Sequence, residues 1–208
     1  MKTIFLLAAL IAPGLSYGAT LNAASVANNG AGGIFMDMTA AGSAITVTSF
    51  DLFFDGAPAT ATVEVYTRPG TYVGFDNSNA GWTLTQTVVA NTAGTTTLAP
   101  LTLTSGITIG AGQTLAVYLH STSFQHGIYY NGNFVAPPTT TWSNADLSLF
   151  SDTARTDDVA FSGNSFTPRT LAGNVNYSLG VAAIPEPGTV SMLGLGLAGL
   201  VWFRRRRA

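Results

Sequence analysis

The sequence has no cysteine and very little charge. Of its 208 residues, 9% are Asp, Glu, Lys or Arg, and the single lysine is Lys2. Without a thiol the chain excludes cysteine nucleophiles, thiolate zinc sites, disulfide frameworks and cysteine-linked lipid anchors. The fold must therefore depend on an ordinary hydrophobic core, and the chain is long enough to bury one.

The few charges are unevenly distributed. Residues 19–184 carry nine Asp and Glu against three Arg, a net charge of minus six, and half of the eight Lys and Arg stand together at Arg204, Arg205, Arg206 and Arg207. Phosphate binding needs clustered cations that release counterions. The acidic central region therefore excludes a nucleic-acid partner.

Two histidines and a few carboxylates are the remaining groups that could carry chemistry. No His-Glu-x-x-His motif and no Walker phosphate loop occur. His120 and His126 are six residues apart, but a metal shared between them would lack an obvious third ligand. Glu64 stands in an alternating strand and is expected to point outward as a surface charge. The sequence therefore predicts no catalytic residue and no resident cofactor.

One acidic segment is a candidate for calcium. Asp152, Asp157 and Asp158, with Asn164 nearby, offer the hard oxygen ligands that calcium prefers. A solvated loop explains the same residues without a metal, and it is the favoured interpretation.

The N-terminus has the layout of a secretory signal peptide. A single cation is followed by an apolar run over residues 4–12 and by small residues at Ser16 and Gly18. Small side chains at positions minus three and minus one place the expected cut before Ala19. Residues 1–18 are therefore predicted to be a signal peptide that signal peptidase removes.

Residues 19–184 have the composition of β-structure, with heavy use of Thr, Gly and Asn. From Ala44 to Phe54 the apolar alternation changes face between Ser49 and Phe50, which predicts a β-bulge. Short alternating segments recur at roughly 8 to 20 residue intervals without a 3.6-residue period. This pattern predicts an antiparallel β-sandwich.

Three further strands are predicted with defined faces. In the segment ATVEVYT, Val63 and Val65 would point to one side and Glu64 and Tyr66 to the other. Two other rows are each expected on a single face: Trp82, Leu84, Gln86 and Val88 in one strand, and Leu115, Val117 and Leu119, ending at His120, in another.

Four sequence segments of this region resemble a known family: VEVYTRPGTYVG, GWTLTQT, AGQTLAVYL and SFTPRTLAGNVNYSL. Together they resemble a jelly-roll-type domain that recurs in exported bacterial proteins. The resemblance implies a jelly-roll-like sandwich for residues 19–184. It assigns no functional residue.

Aromatic residues beside the turns are the candidates for ligand recognition. Trp142 and Trp82 lie in or next to polar, turn-rich segments, and exposed aromatic faces can stack on sugar rings. The same rings would also serve as core, because large aromatics most often supply buried area. Core packing is favoured for the group, and Trp142 is the first choice for a ligand contact.

The last two dozen residues combine a linker, an apolar stretch and a cationic end. Pro185, Glu186 and Pro187 form an extended linker, because a residue before proline avoids helical geometry. Residues 188–203 carry no charge, and as a helix they would span ~24 Å, which is short of a bilayer core of ~30 Å. Snorkelling arginines and local thinning cover such a mismatch. The arginines at residues 204–207 predict a single transmembrane helix with a cytoplasmic C-terminus.

This order over residues 184–208 resembles the PEP-CTERM sorting signal of Gram-negative bacteria, and the signal itself is assigned to residues 185–208. The resemblance implies that an integral-membrane exosortase cuts near the Pro-Glu-Pro, with Pro185, Glu186 and Pro187 as the recognised motif. Ile184 departs from the commoner Val. The protein would be a substrate of that enzyme.

The main hypothesis is a non-enzymatic surface or extracellular-matrix protein. Its precursor would be anchored in the inner membrane, and its mature form would be at the cell surface or extracellular. The family resemblance implies a link to exopolysaccharide and biofilm production. Two alternatives stay open: a carbohydrate-binding module that grips a polysaccharide, and a secreted hydrolase, which would need two carboxylates facing each other across a cleft.

Overall fold

Fourteen β-strands and one short 3-10 helix make up the regular structure in a computed structural model of the chain, which describes residues 17–30, 32–132 and 138–179. The 3-10 helix is Phe124–His126. The expected signal peptide up to residue 16 and the whole expected tail lie outside the described residues. The strands are β1 (Gly18–Asn22), β2 (Asn29–Gly30), β3 (Gly33–Ala40), β4 (Ile45–Phe54), β5 (Thr60–Pro69), β6 (Thr83–Asn91), β7 (Ala99–Ile109), β8 (Thr114–Ser121), β9 (Ile128–Tyr130), β10 (Thr141–Ser143), β11 (Leu147–Phe150), β12 (Ala154–Arg155), β13 (Ser165–Phe166) and β14 (Gly173–Leu179).

The strands form two antiparallel sheets. The first sheet has the order β1-β14-β4-β9-β2, and β7 also pairs with β4. The second has the order β10-β11-β3-β8-β5-β6, with β12 joining β3 and β13 joining β12. The predicted all-β antiparallel class is confirmed. In the described part of the chain there is no α-helix, and no helix there is long and apolar enough to span a bilayer.

The hydrophobic core lies between the sheets and is built from the inward-facing residues of each strand. Val63 and Val65 of β5 are fully buried in it, as the alternation predicted. Val117 and Leu119 of β8 are also fully buried, and Leu115 is half-buried against them. Each fully buried side chain of this kind contributes ~1.5–3 kcal/mol. From the first sheet the core receives, among others, Ile45, Val47, Phe50, Leu101 and Val175.

A β-bulge in β4 allows the apolar side chains before and after it to point into the core. Val47 and Ser49 pair with the consecutive residues Tyr177 and Asn176 of β14, so that Thr48 is the extra residue. The bulge keeps Val47 and Phe50 on the same buried side although they are three positions apart. The predicted bulge is thus confirmed, slightly before the predicted position.

The prediction of one face for the β6 row is wrong, because β6 contains a bulge of its own. Val65 pairs with Gln86, whereas the next residue, Tyr66, pairs with Leu84, which leaves Thr85 as the extra residue. Val88 is buried in the core, but Leu84 is turned to the opposite face and is 48% exposed. The prediction failed because the alternation in the sequence continues unchanged across the extra residue, Thr85.

Candidate functional site

A row of aromatic side chains crosses the outer face of the second sheet. Phe35 of β3 lies directly opposite Tyr118 of β8, and Tyr118 lies opposite Tyr66 of β5. The Phe35 and Tyr118 rings stack nearly parallel with centroids 3.8 Å apart, and both residues are fully buried. Burial on the face away from the core requires a cover.

Two loops provide this cover and are named here the roof loops: residues 70–82 and residues 156–164. The first contributes Tyr72 and Trp82, whose rings lie 5.7 Å from the Phe35 ring. The second contributes Phe161, whose ring lies 4.9 Å from that of Tyr118. These residues form a second hydrophobic cluster outside the inter-sheet core. We call this covered surface the roofed face.

The first roof loop is held by polar contacts, one of them buried and two partly buried. The Asp37 carboxylate accepts hydrogen bonds from the Thr71 hydroxyl at 2.5 Å and from the Tyr72 backbone N–H at 2.9 Å. Burial raises the pKa of Asp37 above its usual value. The Tyr72 hydroxyl donates to the Asp152 carboxylate at 2.5 Å, and the Trp82 indole N–H donates to a backbone carbonyl of the loop at 2.8 Å. Trp82, a candidate ligand contact for which core packing was favoured, is half-buried against the cluster, and its indole N–H is hydrogen-bonded.

The second roof loop contains unusual backbone angles. Asp157 and Phe161 have φ of 127° and 63°, in the region that favours glycine. Each such residue costs on the order of 1–3 kcal/mol and persists only where its surroundings fix it. The Asp157 carboxylate accepts from the Ser162 hydroxyl at 2.7 Å and from the Asp158 N–H at 2.8 Å. These hydrogen bonds lower the pKa of Asp157, and the bond from the Ser162 hydroxyl contributes most.

Arg155 ties the two roof loops together. Its Nε donates to the Asp76 carbonyl at 2.6 Å, and its Nη1 donates to the Gly163 carbonyl at 2.9 Å. Its Nη2 also lies 3.8 Å from the Asp76 carboxylate. One side chain from β12 thus contacts both loops.

Beside the aromatic row, three polar side chains form a network. His120 lies directly opposite Glu64 on the neighbouring strand, and its Nδ1 is 3.1 Å from Glu64 Oε2. The other ring nitrogen is 3.3 Å from the Asp157 carbonyl oxygen. The Glu64 carboxylate and the Asp157 carbonyl are both hydrogen-bond acceptors, so a ring N–H directed at either of them has a partner. The Tyr66 hydroxyl donates to the same Glu64 oxygen at 3.0 Å.

This network sets the protonation of Tyr66. Partial burial and then the Glu64 carboxylate raise the pKa of Tyr66 to about 12. Glu64 does lie on the outer face of its strand, as expected, but it is not a plain surface charge. Its side chain is 24% exposed and is fixed by two buried or half-buried partners.

A cavity of about 430 Å³ opens between the roof loops in front of this network. Its wall combines two carboxylates, an amide, two hydroxyls and two aromatic rings, and none of the lining residues is Lys or Arg. The lining residues are Glu64, Tyr66, Ser78, Asn79, Asp158, Val159, Ala160 and Phe161. We name it the roof cavity.

The structure does not gather the other predicted site residues here. His126 belongs to the 3-10 helix, where its Nδ1 is 3.4 Å from the Asp55 carbonyl oxygen, so that it has a different partner from His120. Among the described residues no three His, Asp or Glu side chains are grouped as a metal site. Of the calcium candidates, Asp152 accepts a hydrogen bond from Tyr72 and Asp157 accepts one from Ser162. Asp158 lines the roof cavity. A calcium site stays a prediction.

Trp142 lies elsewhere, in β10 of the second sheet. It is half-buried against the inter-sheet core, and it lines a separate cavity of about 300 Å³ with Ser25, Asn131 and Thr139 among others. Its role as a ligand contact stays a prediction.

Tyr66 and Asn79 were not identified as site residues from the sequence. The contact between Glu64 and His120 was not predicted either. Alternation did place Glu64 and Tyr66 on one face. The missing step was the pairing of β5 with β8, which sets their neighbours and which no local pattern encodes.

The sorting motif Pro185, Glu186 and Pro187, the expected helix at residues 188–203 and the arginines at residues 204–207 lie outside the described residues. A search of curated proteins finds no match to the chain. Residues 183–207 match the family described as the PEP-CTERM protein-sorting motif. This chain therefore carries a PEP-CTERM sorting motif, which implies an exported protein that is anchored at a membrane and then processed by an exosortase, itself a membrane protein.

Proposed function

We propose that the protein is a non-enzymatic component of the cell surface or extracellular matrix, associated with exopolysaccharide or biofilm. The observation that carries the proposal is the sorting motif at residues 183–207. In this proposal the signal peptide at residues 1–18 directs export. The helix at residues 188–203 then holds the precursor in the inner membrane until cleavage near Pro185–Pro187 delivers the domain to the surface.

The position of the motif relative to the fold supports this order of events. The last strand, β14, ends at Leu179, five residues before Ile184. A cut near the Pro-Glu-Pro would therefore leave all fourteen described strands intact. β1 also pairs along its whole length with residues 174–178 of β14, so that the predicted mature N-terminus at Ala19 lies in the ladder beside the strand that leads to the tail.

The sandwich domain is proposed to have jelly-roll connectivity. Support comes from the two antiparallel sheets and from their crossovers, since β3, β5 and β8 are neighbours in one sheet whereas β4, β7 and β14 are neighbours in the other. Such a domain presents two outer faces for contact with matrix material.

Processing is tested by mass spectrometry of the C-terminal peptide from membrane and surface fractions, in cells with and without the exosortase. We expect the surface form to end near Ile184 and the membrane form in deficient cells to keep residues 188–208. Glu186→Ala should leave the tail uncut, and the matched variant Ile184→Val should be cut normally. A full-length chain at the cell surface, or a freely soluble full-length chain, would overturn the proposal.

A hydrolase is the second candidate, because Glu64 and Asp158 line the same cavity and paired carboxylates can serve as acid and base. The test is the release of reducing ends from polysaccharides by the full chain. Activity that is lost in both Glu64→Gln and Asp158→Asn would replace the non-enzymatic proposal.

A further inference from the structure

We infer that the roof cavity binds a neutral sugar unit of a polysaccharide. The inference deepens the proposed function, on which it rests for the presence of a polysaccharide at the site of delivery. It places the ligand contact at Glu64, Tyr66, Asn79 and Phe161 rather than at Trp142.

The size and lining of the cavity fit a small ligand. Ligand sites usually measure ~300–1,000 Å³ and combine apolar walls with a few fixed polar groups, and the roof cavity measures about 430 Å³. Tyr66 and Phe161 approach each other edge to face, with centroids 5.0 Å apart, and supply apolar walls. Ser78 and Asn79 supply polar groups on the side of the first roof loop.

The polar groups match hydroxyls in particular. A sugar hydroxyl both donates and accepts, so it can donate to a carboxylate and accept from an amide N–H. Both internal hydrogen bonds of the Glu64 carboxylate reach Oε2, which leaves Oε1 as the acceptor for a ligand. Asn79 can serve as either donor or acceptor.

The charge of the wall selects against acidic sugars. The cavity is lined by Glu64 and Asp158 and by no cation, so a carboxylate or sulfate group would meet repulsion without a partner. Glu64 is also less open to a cationic ligand, because its Oε2 already accepts from the Tyr66 hydroxyl and lies 3.1 Å from His120 Nδ1. Asp158 is exposed, so water and salt weaken its interaction with a charged ligand of either sign, and the selection against acidic sugars depends mainly on Glu64. A neutral, hydroxyl-rich ligand is the remaining class.

The site is held in shape before any ligand arrives. His120 and Tyr66 fix the Glu64 carboxylate, and Arg155 joins the two roof loops. The strained residue Phe161 lies in the wall, and the strained residue Asp157 directly precedes the lining residue Asp158; such strain is typically retained at binding sites. A preorganised wall lowers the entropy cost of binding.

The test is a binding titration with the full chain in a detergent that has no sugar headgroup. Three sets of linear oligosaccharides serve as probes: neutral glucans, galactans and mannans, cationic glucosamine oligomers, and anionic uronate oligomers. We expect binding within the neutral set only. Asn79→Ala should weaken it about tenfold, the loss of one well-placed hydrogen bond. Asn77→Ala is the matched control, since Asn77 is an exposed residue of the same loop outside the cavity lining and should leave binding unchanged.

Glu64→Gln keeps the shape of the side chain and should also weaken binding, with unchanged thermal unfolding as the check on folding. Binding that prefers the cationic or anionic set, or that is lost in Trp142→Ala and retained in Asn79→Ala, would overturn the inference. Failure of all neutral probes would overturn it too, while normal processing near Ile184 would leave the sorting proposal standing. Release of reducing ends from a bound probe would confirm the sugar site and overturn the non-enzymatic role.

Discussion

The two outer faces of the sandwich differ sharply. On the first sheet, the outer face is a largely polar surface, named here the polar face, whose side chains hydrogen-bond across the strands. Asn176 accepts from Thr20 at 2.7 Å and donates to Ser49 at 3.1 Å and to Asp51 at 3.0 Å. On the second sheet, the corresponding positions carry the aromatic row and are covered by the roof loops.

A sandwich needs apolar residues only on the two inner faces. The polar face comes close to this minimum, since most outward positions of β1, β4, β7 and β14 are Thr, Ser, Asn or Asp, with Phe53 and Pro100 among the exceptions. The roofed face exceeds it, because two long loops and a second hydrophobic cluster are added there. Loops carried by a rigid sheet are where binding residues concentrate. The difference therefore points to the roofed face as the functional side.

The largest effect is expected from truncating the aromatic row. Phe35→Ala should lower the free energy of unfolding by ~3–5 kcal/mol, because it removes a fully buried ring beneath both roof loops. Thr102→Ala, at an exposed position of the polar face, should cost ~1 kcal/mol or less. Chemical denaturation of the full chain gives both values. Equal losses would mean that the roofed cluster adds nothing to the fold.

A smaller effect is expected from a matched pair of aspartates. Asp37→Ala leaves the buried Tyr72 N–H without its acceptor and should cost ~1–3 kcal/mol. Asp51→Ala removes the acceptor of Asn174 and Asn176, whose amides are half-buried and can turn to water, so it should cost less than ~1 kcal/mol. The same denaturation experiment compares them. A larger loss at Asp51 would reverse the comparison.

The smallest effect at neutral pH is expected from Tyr66→Phe, and alkaline pH reveals it. The pKa of Tyr66 rises from 10.0 to about 12 on folding, so the folded state holds the phenolic proton more tightly. This stabilisation is complete below pH 10 and is lost as the pH rises through about 12. The free energy of unfolding should therefore fall less steeply over this range in Tyr66→Phe than in the wild type. Identical slopes would contradict the assigned environment of Tyr66.

Several features of the fold could be predicted from local patterns. Alternation placed Val63 and Val65 in the core and Glu64 and Tyr66 on the other face, and a change of alternation located the bulge in β4. The bulge in β6 was missed, since Leu84 and Gln86 continue an apparently regular pattern while Thr85 is the extra residue. Because Thr83 and the extra residue Thr85 are both exposed threonines, the bulge does not alter the hydropathy pattern of the strand.

The candidate site was predictable only in pieces. Trp82 was singled out as an aromatic near a turn, but its indole N–H and ring are used within the cluster. Glu64 and His120 are 56 positions apart in the chain. Their contact depends on the register between β5 and β8, which long-range packing decides.

The class of fold and the sorting motif could both be recognised in the amino-acid sequence. Both follow from local chemistry, namely the two-residue period of a strand with one buried face and the contiguous residues 183–207 that a processing enzyme can recognise as a linear segment. The three-dimensional packing was needed to show that one outer face is mostly polar while the other is roofed, and that Glu64, Tyr66 and the two loops line one cavity next to His120. The reason is that strand register and loop packing join residues far apart in the chain, and no neighbouring residue specifies which distant strand will lie beside it.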